Sequence, residues 1–319
     1  MRIRFGYVAM STLLKDCSPS HTVTLGNLTK IESINDQRKR LATLARMNIA
    51  STTRLFHHNR AYDIKVFRLT SKLIPLATHP LLQDWDWPRE LGADFRNLGS
   101  LAVRDGLRIS AHPDHFTLLN SPREEVVQAA VKDLIYHDGI FSCMGLESAA
   151  KLVIHVGGSY KDKDNSLVRF IENFRKLPTP IKARIMLEND DKSYSAAEVL
   201  ALCQQLKVPM VLDIHHHWCL NRVEDIADLL PAIFATWDEE IVPPKVHISS
   251  PRDDKNIRAH ADYIDPVFLL DFLNIARGLD RDFDVMCEAK AKDAALFRLL
   301  DDLKNEKGLA FADQATIEI

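Results

Sequence analysis

Cysteine is scarce in this 319-residue chain: Cys17, Cys143, Cys203, Cys219 and Cys287 are widely spaced, with no CxxC pair. That excludes a disulfide framework and a structural zinc knuckle, and it fits a reducing cytosol. No apolar run approaches the roughly 18 residues of a membrane span, and Met1 to Val8 is too short for a secretory signal. A basic excess is also missing, since 41 Lys and Arg stand against 44 Asp and Glu. Bulk charge therefore does not favour a partner made of phosphates, although local clusters remain at Arg38-Lys39-Arg40, at Lys161 with Lys163, and at Arg252, Lys255 and Arg258. Proline- or glycine-rich linkers, low-complexity tracts and short repeats are absent, so one domain over residues 1–319 is expected. With the first apolar run starting at Ile3, a bacterial-type cytoplasmic protein is expected over a nuclear one with a basic leader.

What is present is an alternation. Eight apolar runs read as buried parallel strands: Ile3 to Val8, Lys65 to Leu69, Arg108 to Ala111, Leu152 to Val156, Arg184 to Leu187, Met210 to Ile214, Lys245 to Ser249 and Asp284 to Glu288. Segments of helical period separate them, among them Asn35 to Met47 and Ser195 to Leu206, with Asn35 and Ser195 as expected N-caps. Pro80 to Asn97, with Trp85 and Trp87, reads as a helix and connection on the outside. With 46% hydrophobic residues the chain has enough apolar side chains for a large core. The pattern predicts an α/β fold, a single-domain TIM (β/α)8 barrel.

Ligand-type residues recur where these strands end. They are His79, His112 in Ala111-His112-Pro113, His155 in His155-Val156-Gly157-Gly158, Glu188 in Leu187-Glu188-Asn189, Asp213 and His216 in Asp213-Ile214-His215-His216-His217, His247 and Glu288. In a barrel, C-terminal strand ends converge on one mouth. Carboxylates gathered there repel one another and lose hydration unless divalent cations neutralise them, so the cluster predicts metal. Imidazoles mixed with carboxylates, without cysteine, favour zinc or manganese, and the count suits two or three ions with Glu188 bridging. His260, in the loop after the seventh strand, is near enough in sequence to join them. Several ions in one mouth suit phosphodiester hydrolysis. They equally suit an aldose-ketose isomerase on the same scaffold, and fold and metals alone do not choose.

The ordered set Phe5-Gly6-Tyr7, His79, Ala111-His112-Pro113, His155-Val156-Gly157-Gly158, Leu187-Glu188-Asn189-Asp190, Asp213-Ile214-His215-His216, Lys245-Val246-His247-Ile248-Ser249, His260-Ala261-Asp262-Tyr263 and Glu288-Ala289-Lys290 closely resembles the UV damage endonucleases, from first strand to last. The resemblance implies a barrel related to the endonuclease IV and xylose isomerase groups, binding up to three ions, typically manganese, with zinc or cobalt as substitutes. Its implied substrate is damaged double-stranded DNA, with no membrane and no obligate protein partner. Cleavage would fall immediately 5′ of cyclobutane pyrimidine dimers, 6-4 photoproducts and abasic sites, leaving a 3′-hydroxyl and a 5′-phosphate. It further implies His79, His112, His155, Glu188, Asp213, His216, His247, His260 and Glu288 as ligands. Lys245, which matches a lysine carboxylated in this family, joins Glu188 as a catalytic residue. His115 and Phe116 match the pair that probes the damaged duplex, where glutamine and tyrosine are often found, and Tyr7 matches a tyrosine lining the lesion pocket. Ser11 stands near a position where asparagine is sometimes seen. Arg60, Lys161 and the Arg252 to Arg258 stretch are expected on the phosphates. A sugar isomerase or epimerase, an abasic-site endonuclease without photoproduct activity, and a non-catalytic lesion-binding protein are the rival readings.

Overall fold

A computed structural model of the chain describes residues 1–220 and 225–319. Eight strands form the barrel: β1 (Arg2–Val8), β2 (Val66–Leu69), β3 (Arg108–Ala111), β4 (Lys151–His155), β5 (Ile185–Glu188), β6 (Met210–Asp213), β7 (Lys245–Ile248) and β8 (Phe283–Cys287). Two more, β9 (Ala310–Asp313) and β10 (Thr316–Glu318), follow as a hairpin that the alternation does not announce. The helices are α1 (Leu25–Leu28), α2 (Ile34–Ala61), α3 (Trp87–Arg104), α4 (Glu124–Cys143), α5 (Lys163–Lys176), α6 (Thr179–Arg184), α7 (Ala196–Leu206), α8 (Ile214–Leu220), α9 (Ile226–Ala235), α10 (Pro266–Ala276) and α11 (Lys292–Leu303). No helix among the described residues is long and apolar enough to cross a membrane.

Neighbouring strands from β1 round to β8 pair in parallel, and β8 pairs back onto β1, which closes the ring. β1 divides one edge between two partners. Its residues Gly6 to Val8 pair with β2, whereas Arg2 to Arg4 pair antiparallel with β10. Gly6 sits where β1 and β2 cross most closely: a Cβ there would lie 2.0 Å from the Val66 carbonyl oxygen.

Side chains alternate along each strand, and this period of two builds the interior in layers. The floor is charged. Arg4 makes two bonds to Asp284, at 2.7 and 2.8 Å, and Arg108 binds the same carboxylate. Lys151 reaches Glu240, and the Arg108 guanidinium lies 5.2 Å from the Trp237 ring. Above the floor, Val8, Val66 and Met286 pack together, as do Val153, Met186, Val211 and Trp237. The uppermost inward residues are Arg68, His155, Glu188, Asp213 and His247, at or near the C-terminal strand ends. Ile3, Phe5 and Tyr7 face outward, into the large apolar layer between strands and helices.

The two expected helix starts differ in outcome. Ser195 caps α7 in a full capping box with Glu198. The first long helix is capped by Ser33 rather than Asn35, because the Ser33 hydroxyl accepts from the Asp36 amide. That helix also runs to Ala61 instead of stopping at Met47. Asn48 does not end it, because its side chain turns away to the loop carbonyls of His21, at 3.0 Å, and Leu73, at 3.1 Å.

Candidate metal centre

Each group at the mouth is placed by the strand beneath it. His155 and Glu188 are the last residues of β4 and β5 and are register partners. Asp213 ends β6 and pairs in register with His247 of β7. The sixth strand stops one residue earlier than expected, since the helix α8 begins at Ile214. Asp213 Oδ1 accepts the His216 amide at 2.7 Å in the manner of an N-cap, which turns His216 back over the barrel.

Among the described residues three groups of donor atoms result, each within 4.8 Å: His112, His155 and Glu188; Glu188, Asp213 and His216; Glu188, His247 and Glu288. Glu188 belongs to all three. One of its oxygens faces His247 Nδ1 at 2.6 Å, and the other faces His112 Nε2 at 3.2 Å and His155 Nε2 at 3.5 Å. The bridging position expected from sequence is therefore geometrically central.

The histidine tautomers follow from what surrounds them. A carbonyl oxygen only accepts, so each ring nitrogen bonded to one carries the proton. On that ground Nδ1–H donates to Pro113 from His112 at 2.9 Å, to the Glu188 carbonyl from His155 at 3.4 Å, to Asn189 from His216 at 3.0 Å and to the Glu288 carbonyl from His260 at 2.6 Å. The four Nε2 lone pairs are left for an electrophile, which is how metal-ligating imidazoles are ordinarily held. His215 is different. Its Nε2–H donates to Ile257 at 2.7 Å and its Nδ1 faces the Ser249 hydroxyl at 2.9 Å, so both nitrogens are spent on structure. Among buried atoms lacking a hydrogen-bond partner are Asp213 Oδ2 and His247 Nε2, both in this cluster. Buried polar atoms of that kind are satisfied in native proteins, and a cation would satisfy Asp213 Oδ2 here, while His247 turns its other nitrogen, Nδ1, toward the Glu188 and Glu288 carboxylates. The donor set thus fits divalent metal.

The electrostatics carry the same message. Burial alone would lower the pKa of His247, but the Glu188 and Glu288 carboxylates outweigh it and raise it to about 9. His216 is raised to about 9 against the same penalty by Asp213, Glu188 and Glu288. Burial also works against the charge on Glu188 and Glu288. The His247 and His155 rings nevertheless hold Glu188 well below the ordinary carboxylate range, and Arg68 and His247 do so for Glu288. His155 is pushed down, chiefly by burial. In the metal-free protein, protons stand in for cations.

Some expected residues lie elsewhere. His79 is outside the three donor groups, and its Nδ1 accepts the Leu81 amide at 3.2 Å as the cap of a short turn of helix. His260 is also outside them, though its ring centroid is 6.0 Å from that of His216. Tyr7 does not line the mouth. It falls on the outward face of β1, is 0% exposed, packs on Phe67, and donates its hydroxyl to Asn59 Oδ1 at 2.8 Å. Tyr7→Phe is therefore expected to cost about 1–2 kcal/mol of stability, through the lost bond to a buried acceptor. It should leave damage recognition intact, which denaturant unfolding and a cleavage assay of the same preparation would check. Arg60 is likewise away from the site: it sits at the far end of α2, 3.9 Å from Asp105 ahead of β3, on the opposite face from the mouth. Lys161, Arg252, Lys255 and Arg258 are in loops that follow β4 and β7. His115 and Phe116 are exposed in the loop after β3, their rings edge to face at 5.9 Å. Lys245 lies on the inward face one layer below His247, and its amine donates to Ser110 at 2.9 Å across the barrel.

Arg68 is absent from the residues that sequence reasoning singles out, yet it ion-pairs with Glu288 in the mouth. The signal was available: an arginine two residues after Val66 in a four-residue apolar strand must point the same way as that valine, into the barrel.

A (β/α)8 barrel whose mouth carries three overlapping His and carboxylate groups has the donor set of a metal-binding barrel, a class that includes both hydrolases and isomerases. Comparison with known proteins narrows this. The family model for UV-endonuclease UvdE matches residues 3–318. The UV DNA damage endonuclease of Bacillus cereus (strain B4264) is 43% identical over 309 residues, 97% of each chain, and that of Bacillus mycoides (strain KBAB4) is 41% identical over 318 residues, covering all of both. The solved structure of SacUVDE superposes with a TM-score of 0.83 at 32% identity, covering 95% of this chain and 98% of the other. Endonuclease IV from Thermus thermophilus shares the fold, with a TM-score of 0.58 at 16% identity and coverage of 95% and 100%. The chain belongs to the UV-endonuclease UvdE family.

Proposed function

We propose that this protein is a DNA repair endonuclease that nicks the backbone immediately 5′ of UV photoproducts, cyclobutane pyrimidine dimers and 6-4 photoproducts, and also cleaves at abasic sites, leaving a 3′-hydroxyl and a 5′-phosphate. The observation that carries the reading is the single carboxylate, Glu188, shared by three donor groups in one mouth. His112, His155, Asp213, His216, His247 and Glu288 complete those groups, and the proposed set extends to His79 and His260 at its margin. Two or three divalent ions, manganese by preference, held there would supply Lewis-acid polarisation of the phosphodiester and an acidified water near neutral pH.

The remaining work belongs to side chains. Arg68 holds Glu288 ionised and oriented. The backbone carbonyls of Pro113, Glu188, Asn189 and Glu288 hold four imidazoles in one tautomer. Lys245 is proposed to be carboxylated at its amine. Burial foremost, and then Arg108, lowers its pKa well below that of a free lysine, which favours the uncharged amine that reacts with carbon dioxide. His115 and Phe116 are proposed to enter the duplex at the lesion. A crosslinked dimer stacks and pairs badly, so extruding it costs less than extruding intact bases, and recognition rests on deformability rather than on base-edge contacts.

The test is an end-labelled duplex with one thymine dimer, incubated with manganese or with chelator, beside an undamaged control. A manganese-dependent nick just 5′ of the dimer is expected. Phe116→Ala should reduce the preference for damaged over intact duplex by about tenfold, the usual scale of one lost aromatic stack. Folded, metal-loaded protein that leaves the dimer duplex whole would send the assignment to the sugar isomerases of this scaffold.

A further inference from the structure

Gly157 to Lys161, the loop that leads from His155 toward α5, holds its backbone in unusual conformations. Tyr160 and Lys161 are consecutive left-handed residues, with φ of 48° and 63°, and Gly157 has φ of 111°. Side chains resist that region because Cβ crowds the following carbonyl, and such strain persists only where surrounding contacts over-determine it. Here they do. The Gly158 carbonyl accepts from Asn120 Nδ2 at 2.7 Å and from the Tyr194 hydroxyl at 3.3 Å. The Ser159 carbonyl accepts from the Ser166 hydroxyl at 2.8 Å and the Asp162 amide at 2.9 Å. A Cβ on Gly157 would stand 2.4 Å from Asn120 Oδ1, so this residue has no room for a side chain as well as an unfavourable φ.

Asn120 is fully buried and belongs to the same β3 loop as His115 and Phe116. Its carbonyl accepts from Arg169 Nε at 2.9 Å, and the same guanidinium lies 5.7 Å from the centre of the Tyr160 ring. Asn173 binds the Leu119 carbonyl at 2.8 Å. The loop bearing Phe116 and the loop bearing Tyr160 are thus bolted to each other and to α5. Together they present two aromatic residues, 44% and 39% exposed. Tyr160 stays about two-fifths exposed on a loop that is both strained and braced, and loops positioned by a rigid scaffold are where binding residues concentrate.

We propose that Tyr160 is a further DNA-contacting residue, a platform on which a nucleobase near the lesion stacks, set at a fixed spacing from Phe116 by Asn120 and Arg169. The inference rests on DNA being the substrate. It is tested by the affinity of Tyr160→Ala and Tyr160→Phe for a thymine-dimer duplex, measured in a Glu188→Gln background so that nothing is cut, with 2-aminopurine placed beside the dimer. Tyr160→Ala should weaken binding by about tenfold and lose the quenching of 2-aminopurine, as removal of one stacking partner does. In the otherwise native enzyme it should raise KM with kcat and Tm unchanged. Tyr160→Phe, which keeps the ring, should restore affinity and quenching. Native affinity in Tyr160→Ala, or a loss that follows a fall in Tm, overturns the proposal. If the unaltered enzyme cuts the dimer duplex and Tyr160→Ala matches it throughout, only this inference fails; if the unaltered enzyme does not cut, the assigned substrate fails.

Discussion

Glu188→Gln is expected to reduce cleavage of a dimer-containing duplex by about three orders of magnitude or more, because removing a preorganised electrostatic group at a multi-ion centre costs at least as much as losing one transition-state donor. Position matters here as much as charge. Both oxygens of this side chain are committed, one toward His247 and the other toward His112 and His155, and all three donor groups contain it. An amide keeps the shape, loses the charge, and turns an NH2, which only donates, toward one set of rings. The variant should therefore bind fewer than the native number of ions, whereas replacement of His112, which belongs to one group, should spare the others. Elemental analysis of dialysed protein beside single-turnover cleavage separates the cases. A Glu188→Gln enzyme with a full ion complement and activity within about tenfold of native would remove Glu188 from its central role.

Raising the pH from 6.5 to 9 should destabilise the chelated protein while tightening metal binding, two opposite slopes from one set of residues. His216 and His247 have folded-state pKa values of about 9, against about 6.5 for an unfolded histidine. A group whose pKa is raised on folding contributes its full stability below the unfolded value and loses it as the pH climbs through the folded one. Each ring spans about 2.5 units, or about 3 kcal/mol, and the two are less than additive because both lean on Glu188 and Glu288. Those carboxylates have the opposite sign: their lowered pKa values stabilise the fold above the ordinary carboxylate range, and that support fades as acid protonates them. The metal-free protein should accordingly be most stable from about pH 4.5 to 6.5. Ions require neutral imidazole, so binding expels these protons and strengthens as pH rises. Melting curves at about pH 6 and about pH 9, with chelator and with manganese, should show the gap between the two forms widening at the higher pH. A chelated protein whose melting temperature holds steady or rises over that range would show that the two rings are not protonated in the folded state.

Legibility in the sequence follows the strength of local signals. The eight barrel strands and the inward side of each can be read because apolar runs end in ligand-type residues at a period of two, and that pattern reaches His112, His155, Glu188, Asp213, His247 and Glu288, whereas His216 follows β6 on α8. What it does not supply is the third dimension. Likeness of motif puts Tyr7 at the lesion pocket, but its parity with Phe5 rather than Gly6 sends it toward α2. His79 lies ten residues beyond Leu69, the end of β2, too far for strand parity to say where its ring points. The β9–β10 hairpin falls outside the strand–helix alternation, since its strands are four and three residues long, and β10 gains its order from pairing with β1 and β9 from pairing with β10. Asn120 gives no sign at all, because its importance lies in two carbonyls and a glycine.

The charged floor of the barrel has a consequence for the ions above it. Two guanidinium groups, Arg4 and Arg108, share the single carboxylate of Asp284, while the mouth gathers Glu188, Asp213 and Glu288 beside the guanidinium of Arg68. With the imidazoles neutral, as bound ions require, the barrel is polarised along its axis, cationic at the floor and anionic at the mouth. A cation inside sits in a potential that rises steeply beneath it, so its path in and out runs through the mouth. That is the face the substrate would cover, and a bound duplex would then act as the stopper of a one-necked flask, holding the ions in place for as long as the backbone is being cut.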